Sequence, residues 1–185
     1  MSLETLILYF GKNNMTERTE RIDPSILNSG HCMDCRKCCK YEPDELEDAP
    51  MFTEEQFQRV EREFGVGAIQ FERRGDLYRV VLSDIPGSEK KICPFYDDPT
   101  GNCAVFAYEI FDCYTWPFYI MRKDDEVVIT LSPDCPIVSR IPVQALAKYA
   151  RAKIGPQMLQ MAQQHPDLIT HYHGNAIVLC NVNEF

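Results

Sequence analysis

No stretch of this chain approaches the ~20 consecutive apolar residues that a membrane helix requires, so no membrane span is expected. Basic residues are in short supply as well: 19 Lys and Arg stand against 28 Asp and Glu, a net charge of −9. That balance disfavours a broad phosphate-binding surface, and with it nucleic acid as a partner. The apolar residues 3–10 are few, have no basic run before them and no small-residue cleavage site after them, so no secretion signal is evident. Without a route to an oxidising compartment, and with an odd number of cysteines, nine, a disulfide framework loses its main support and the cytoplasm is the expected location. Low-complexity tracts and internal repeats are also missing. The chain has 185 residues, 45% of them hydrophobic and 25% charged, which places it among folded proteins able to bury a core.

Cysteine is what the sequence has in excess. In His31-Cys32-Met33-Asp34-Cys35-Arg36-Lys37-Cys38-Cys39 four thiols fall within the eight residues from Cys32 to Cys39, and Cys93, Cys103, Cys113 and Cys135 follow, with Cys180 apart near the end. Thiolates are soft ligands that suit Zn²⁺, Cu(I) and iron–sulfur clusters, and a two-residue gap lets one short loop turn neighbouring sulfurs towards a common centre. Cys38 and Cys39 are adjacent, so they project in different directions; they could serve two centres, or one could be a ligand and the other a spare thiol. Cys180, outside the cluster, reads as a small buried residue. His31 beside Cys32 is the best histidine candidate, while His171 and His173 read as surface residues of a tail.

Residues 1–30 form a lead-in to this loop, and the acidic residues 41–50, with Pro43 and Pro50, read as a solvated connector, a docking face being the alternative. Thr53 and Gln56 make a capping box, Phe52 and Phe57 sit at staple positions, and Gly65 follows Phe64, which predicts a helix over residues 54–64 with Phe57, Val60 and Phe64 on its buried stripe. Residues 69–71 and 77–82 flank Arg73-Arg74-Gly75-Asp76 as one hairpin; residues 118–120 and 127–131 flank Lys123-Asp124-Asp125-Glu126 as a second. The two hairpins could pair in one antiparallel sheet. A short helical stretch is expected before Cys113, and the longest helix carries Val143, Leu146, Ala147, Ala150 and Ile154 until Gly155-Pro156 interrupts it. A second helical segment runs to about Gln164, and residues 176–180 read as a terminal strand. The expected fold is therefore α+β: a small antiparallel sheet from hairpins, a cysteine-cluster core over residues 31–140, and a C-terminal helical segment over 141–185 as part of the same domain.

The cysteine spacing, together with Cys93-Pro94-Phe95, Trp116-Pro117-Phe118 and Cys135-Pro136, resembles the CxxCxxCC or YkgJ-like cysteine-cluster family of zinc- or iron-chelating proteins, which also includes flagellin N-methylase. The resemblance spans residues 32–136 and maps the family's eight cysteines onto Cys32, Cys35, Cys38, Cys39, Cys93, Cys103, Cys113 and Cys135. It implies that these eight hold metal. This chain departs from the family where basic residues flank the seventh cysteine: Glu109-Ile110 and Tyr114 stand there, and Ile137 replaces a glycine.

Which metal is a matter of spacing. A C-x2-C-x2-C run completed by a distant Cys-Pro, here Cys93-Pro94, resembles the way bacterial ferredoxins hold a [4Fe–4S] cluster; two Cys₄ zinc sites are the alternative. Three function classes follow: a metal- or cluster-binding protein; a protein-lysine N-methyltransferase, implied by the resemblance; and an interaction or assembly factor stapled by its metal, offering its acidic surface to a protein partner. A methyl-donor site usually needs a glycine-rich turn after a strand, whereas Phe64-Gly65-Val66-Gly67 follows a predicted helix.

Overall fold

The computed structural model describes residues 37–43, 45–97, 100–173 and 175–185. In chain order, a 3₁₀ turn at Lys37–Cys39 leads into β1 (Lys40–Tyr41), followed by β2 (Met51–Phe52), α1 (Glu54–Phe64), β3 (Phe71–Arg74), β4 (Leu77–Val80), β5 (Ser83–Asp84), β6 (Lys91–Ile92), β7 (Tyr96–Asp97) and β8 (Asn102–Cys103). The second half holds α2 (Phe111–Thr115), β9 (Phe118–Lys123), β10 (Glu126–Leu131), α3 (Val143–Tyr149), α4 (Gly155–Gln164), β11 (Thr170–His171) and β12 (Ile177–Asn181). Both helices and small antiparallel sheets are present. No helix among the described residues is long and apolar enough to cross a membrane.

Helix α1 starts and stops on local chemistry. Gln56 N–H donates to Thr53 Oγ1 at 3.3 Å and Thr53 N–H donates to Gln56 Oε1 at 2.9 Å, so the capping box is closed in both directions. Gly65, at φ +102°, ends the helix with its N–H on the Glu61 carbonyl. Val60 is fully buried, Phe57 stacks on Tyr78 with ring centroids 4.2 Å apart, and Phe64 meets Phe95 at 5.6 Å. Phe52 and Phe57 each pack edge-on against Phe71, which joins the two staple residues.

Both hairpins form, with tighter turns than expected because Arg73 and Arg74 belong to β3, Lys123 to β9 and Glu126 to β10, and they do not share a sheet. β3 and β4 meet across Gly75-Asp76 with Arg74 opposite Leu77, and β2 occupies the other edge of β4. β9 and β10 meet across Asp124-Asp125 with Lys123 opposite Glu126, and β12 occupies the other edge of β10. The outer edges of β4 and β10 are thus filled by strands from elsewhere, β2 and β12, and the hairpins stay in separate sheets. β11 adds to β9 in parallel, giving the order β11-β9-β10-β12.

The C-terminal helix differs from its expected form. Gly155-Pro156 does not break it: a π turn over Ala150–Ile154, with Gly155 N–H reaching the Ala150 carbonyl, carries the chain straight into α4. The widened turn accommodates Pro156, which has no N–H to offer. Gly155 is required there because a Cβ would come within 2.6 Å of both the Ala150 carbonyl and the Phe185 ring. Leu146, Ala150 and Ile154 are buried as the periodicity predicts, whereas Val143 is exposed.

Two apolar cores result. The larger packs α3, the π turn and α4 on the β9–β10 sheet, around Phe118, Ile129, Leu146, Ile154 and Met158. The smaller lies between α1 and the short strands, around Phe52, Val60, Val80, Phe95 and Tyr108, and it carries the cysteine-bearing segments. Each fully buried large side chain contributes about 1.5–3 kcal/mol.

Candidate metal centre

Backbone pairing gathers the cysteine segments. β1 pairs with β6, Lys40 opposite Ile92, and the Cys93 N–H continues that ladder by donating to the Cys39 carbonyl at 2.9 Å. Cys93 C=O accepts the Tyr96 N–H, which opens a turn into β7, and β7 pairs with β8 so that Tyr96 lies opposite Cys103. Cys113 sits on α2, which Asp112 anchors to β2 by accepting the Met51 N–H at 2.8 Å. Backbone bonds therefore join the Cys39, Cys93 and Cys103 segments, while a side-chain bond through Asp112 holds the Cys113 segment against β2.

Tyr41 lies among these segments. Its ring is 7% exposed in the smaller core beside buried Cys93, with Cys39 and Cys103 packed on the same cluster. It also lines a cleft shared with Cys38, Cys113, Asp48, Asp112, Trp116 and Tyr119, enclosing about 510 Å³ with its open mouth. Cys113 is exposed, and it lines this cleft.

Burial and the neighbouring thiols both oppose ionisation of Cys93 and Cys113. Burial pushes Cys93 up to about 12, with the charges of Cys103 and Cys38 adding to the rise. Burial likewise drives Cys113 well above the ordinary thiol range, reinforced by Cys93, Cys103 and Cys38. For Cys38 the largest cause is a side-chain hydrogen bond with Cys39, followed by burial. Without a cation, these thiols stay protonated at neutral pH; a bound metal reverses that preference by supplying positive charge among them. Among the described residues, no three His, Cys, Asp or Glu side chains stand arranged as a metal-holding group.

The remaining cysteines lie elsewhere. Cys32 and Cys35, with His31, fall outside the described residues. Cys135 is 1% exposed in the larger core, and Cys180 is 2% exposed in that same core, as a small buried residue on β12. His171 is exposed on β11, and His173 pairs with Asp48 at 3.3 Å.

The acidic connector is not solvated throughout. Tyr41, Ala49 and Pro50 are buried, and Asp48 faces the cleft, its carboxyl raised mainly by burial. Asp112 is pushed up to about 7 by burial, with Asp48 adding to it, while the Met51 N–H pulls it down. Sequence reasoning missed Tyr41, Asp48, Asp112 and Tyr119 as parts of this region. The position of Tyr41 two residues after Cys39 was the one local signal, because alternation along a strand returns residue 41 to the side of residue 39.

No family profile, no curated protein and no solved structure matches the chain. Function therefore rests on the site itself.

Proposed function

We propose that this protein binds metal through thiolates, with Cys38, Cys39, Cys93, Cys103 and Cys113 near Tyr41, and with Cys135, in the larger core, and Cys32 and Cys35, outside the described residues, completing the eight-cysteine set implied by the resemblance to the CxxCxxCC family. An iron–sulfur centre of the [4Fe–4S] kind is the leading occupant and zinc the alternative. The observation that supports this most is the approach of thiols from separate segments to one region, with Cys93 buried, Cys38, Cys39 and Cys103 half-buried and Cys113 lining the cleft. Nothing in an apolar core favours gathering groups that repel one another on ionising; a cation supplies the reason. The donor set fits a soft metal, since sulfur dominates it. Bound, an iron–sulfur cluster supplies one-electron transfer, whereas zinc supplies a crosslink.

A second reading, a metal that staples the fold of an interaction or assembly factor, is favoured by the shortness of the strands here. β1, β5, β6, β7 and β8 have two residues each. Such ladders are marginal alone, so a crosslink among Cys39, Cys93 and Cys103 would hold what they cannot.

Cys38 and Cys39 separate the arrangements. Cys38 lines the cleft with Cys113, whereas Cys39 packs on the core beside Cys93. Cys38→Ser is expected to release metal and to erase any cluster absorption, because a hydroxyl is a harder and less acidic ligand; Cys39→Ser is expected to do less or to damage a separate centre. Full retention of metal, sulfide and spectrum by both variants would remove this loop from the site.

A further inference from the structure

Strand β12 is an open edge of the four-stranded sheet. It ends the order β11-β9-β10-β12, and among the described residues no strand pairs with its outer side. Neighbouring Ile177 and Val178 are 41% and 39% exposed, and β12 contains neither the Lys nor the Pro that commonly guards such an edge. The register shows which backbone groups are free. Ser132 N–H donates to the Pro117 carbonyl at 2.8 Å, so by alternation Thr130 turns its N–H and C=O to β9 while Leu131 turns its own to β12. Ile177, opposite Leu131, therefore pairs inward, and the N–H and C=O of Val178 point outward. Past Val178 the edge is closed: a bulge follows, and the Arg151 guanidinium donates to the Leu179 carbonyl at 3.4 Å.

The helix beside this edge is cationic in an acidic chain. From Cys135 to Pro166 there is no Asp or Glu, whereas Arg140, Lys148, Arg151 and Lys153 all fall there, against a net charge of −9 for the whole. α3 and the π turn pack against β12, and Val143, 43% exposed, opens α3. Arg151 is matched by Glu184 at 2.6 Å, but Arg140, Lys148 and Lys153 are exposed and no carboxylate among the described residues pairs with them. We propose that β12 takes up an extended, acidic segment of another protein as an added strand, whose backbone pairs with Val178 and whose Asp or Glu side chains meet the cations of the adjoining helix. Strand addition supplies main-chain bonds, and charge selects the partner. A second copy of this chain fits less well, because two like-charged helices would meet along the shared edge. The proposal rests on the interaction reading above, to which it gives a partner class; it does not need the metal, since β12 carries none of the eight cysteines.

The test uses the full chain, isotope-labelled for amide NMR, and two short synthetic peptides with blocked ends, one alternating Val with Glu and the other Val with Lys. The Glu peptide is expected to move the amide signals of Ala176, Ile177 and Val178, to slow hydrogen exchange at Val178, and to bind about 10-fold more tightly than the Lys peptide at low salt. Ile177→Glu changes an exposed side chain and is expected to weaken the Glu peptide by a similar factor. Lys148→Glu combined with Lys153→Glu is expected to remove the preference between the peptides. Equal binding of the two peptides by the wild type, or binding that leaves β12 and the Val178 exchange rate unmoved, overturns the proposal. So does a Val178 amide already protected without peptide: protection that grows with protein concentration makes the occupant a second copy, and protection that does not makes it the chain itself. The interaction reading is judged separately, by whether chelation loosens the short strands around the cysteines.

Discussion

Phe95 is the side chain on which the smaller core and the cysteine cluster both depend, and truncating it tests that dependence. It is 3% exposed and its ring meets Phe52 at 5.5 Å, Phe64 at 5.6 Å and Phe71 at 6.4 Å. Its carbonyl accepts the Ala104 N–H at 2.9 Å, and its own N–H is bonded to the Cys93 sulfur. Phe95→Ala removes a buried ring and leaves a cavity, a change of about 3–5 kcal/mol, in which each aromatic pair accounts for about 0.5–1.5 kcal/mol. Phe95→Leu keeps most of the volume and is expected to cost about 1–2 kcal/mol. Urea unfolding of metal-stripped protein, followed by circular dichroism and by the single tryptophan, Trp116, measures both. Because Trp116 packs on the larger core, coincident transitions from the two probes would also show the cores unfolding together. A loss below about 1.5 kcal/mol for the alanine variant would refute the packing described around Phe95.

Three further perturbations have definite signs. The Asp112 carboxyl rises from 3.8 to about 7 on folding, so the folded chain holds its proton more tightly and stability is full below about pH 4 and lost as pH rises through 7. At about 1.36 kcal/mol per pH unit the ceiling is about 4 kcal/mol, and about half that once water in the clefts Asp112 lines is allowed for; metal-stripped Asp112→Asn should gain roughly this much over wild type at pH 8 and little at pH 4, and an equal gain at both in urea melts would contradict the cause. Gly75 has φ +58° and a Cβ there would run into the Asp167 carboxylate, so Gly75→Ala is expected to lower stability by about 1–3 kcal/mol, with an unchanged melting temperature as the contrary result. Thr53→Ala opens the capping box and should cost about 1 kcal/mol, restored in part by Thr53→Ser; an alanine variant as stable as wild type would show that the cap is dispensable.

What could be read in advance was local. The bounds of α1 follow from Thr53, Gln56 and Gly65, all within its own stretch, and the register of β9 and β10 follows from the Asp124-Asp125 turn. What could not be read depends on partners far along the chain. β2 and β12 are recruited to sheet edges that no local pattern announces, and the helix passes Pro156 because Ala150–Ile154 can widen by one residue per turn. Within the site, the cysteines announced themselves by type and spacing. Their neighbours did not: Asp112 and Tyr119 read as ordinary residues of a helix and a strand, and only the folded arrangement, with Asp112 held by the Met51 N–H, brings them to the cleft. Cys135 lies in the larger core, a distribution that spacing alone does not reveal.

The most direct test of the central claim is metal and acid-labile sulfide analysis of the full chain purified without oxygen, with its visible spectrum. An iron–sulfur centre predicts iron and sulfide in near-equal amounts and a brown protein whose colour is lost in Cys38→Ser. A colourless protein with about two zinc ions would select the Cys₄ alternative. Material with no stoichiometric metal, and with the same protease sensitivity before and after chelation, would contradict metal binding altogether.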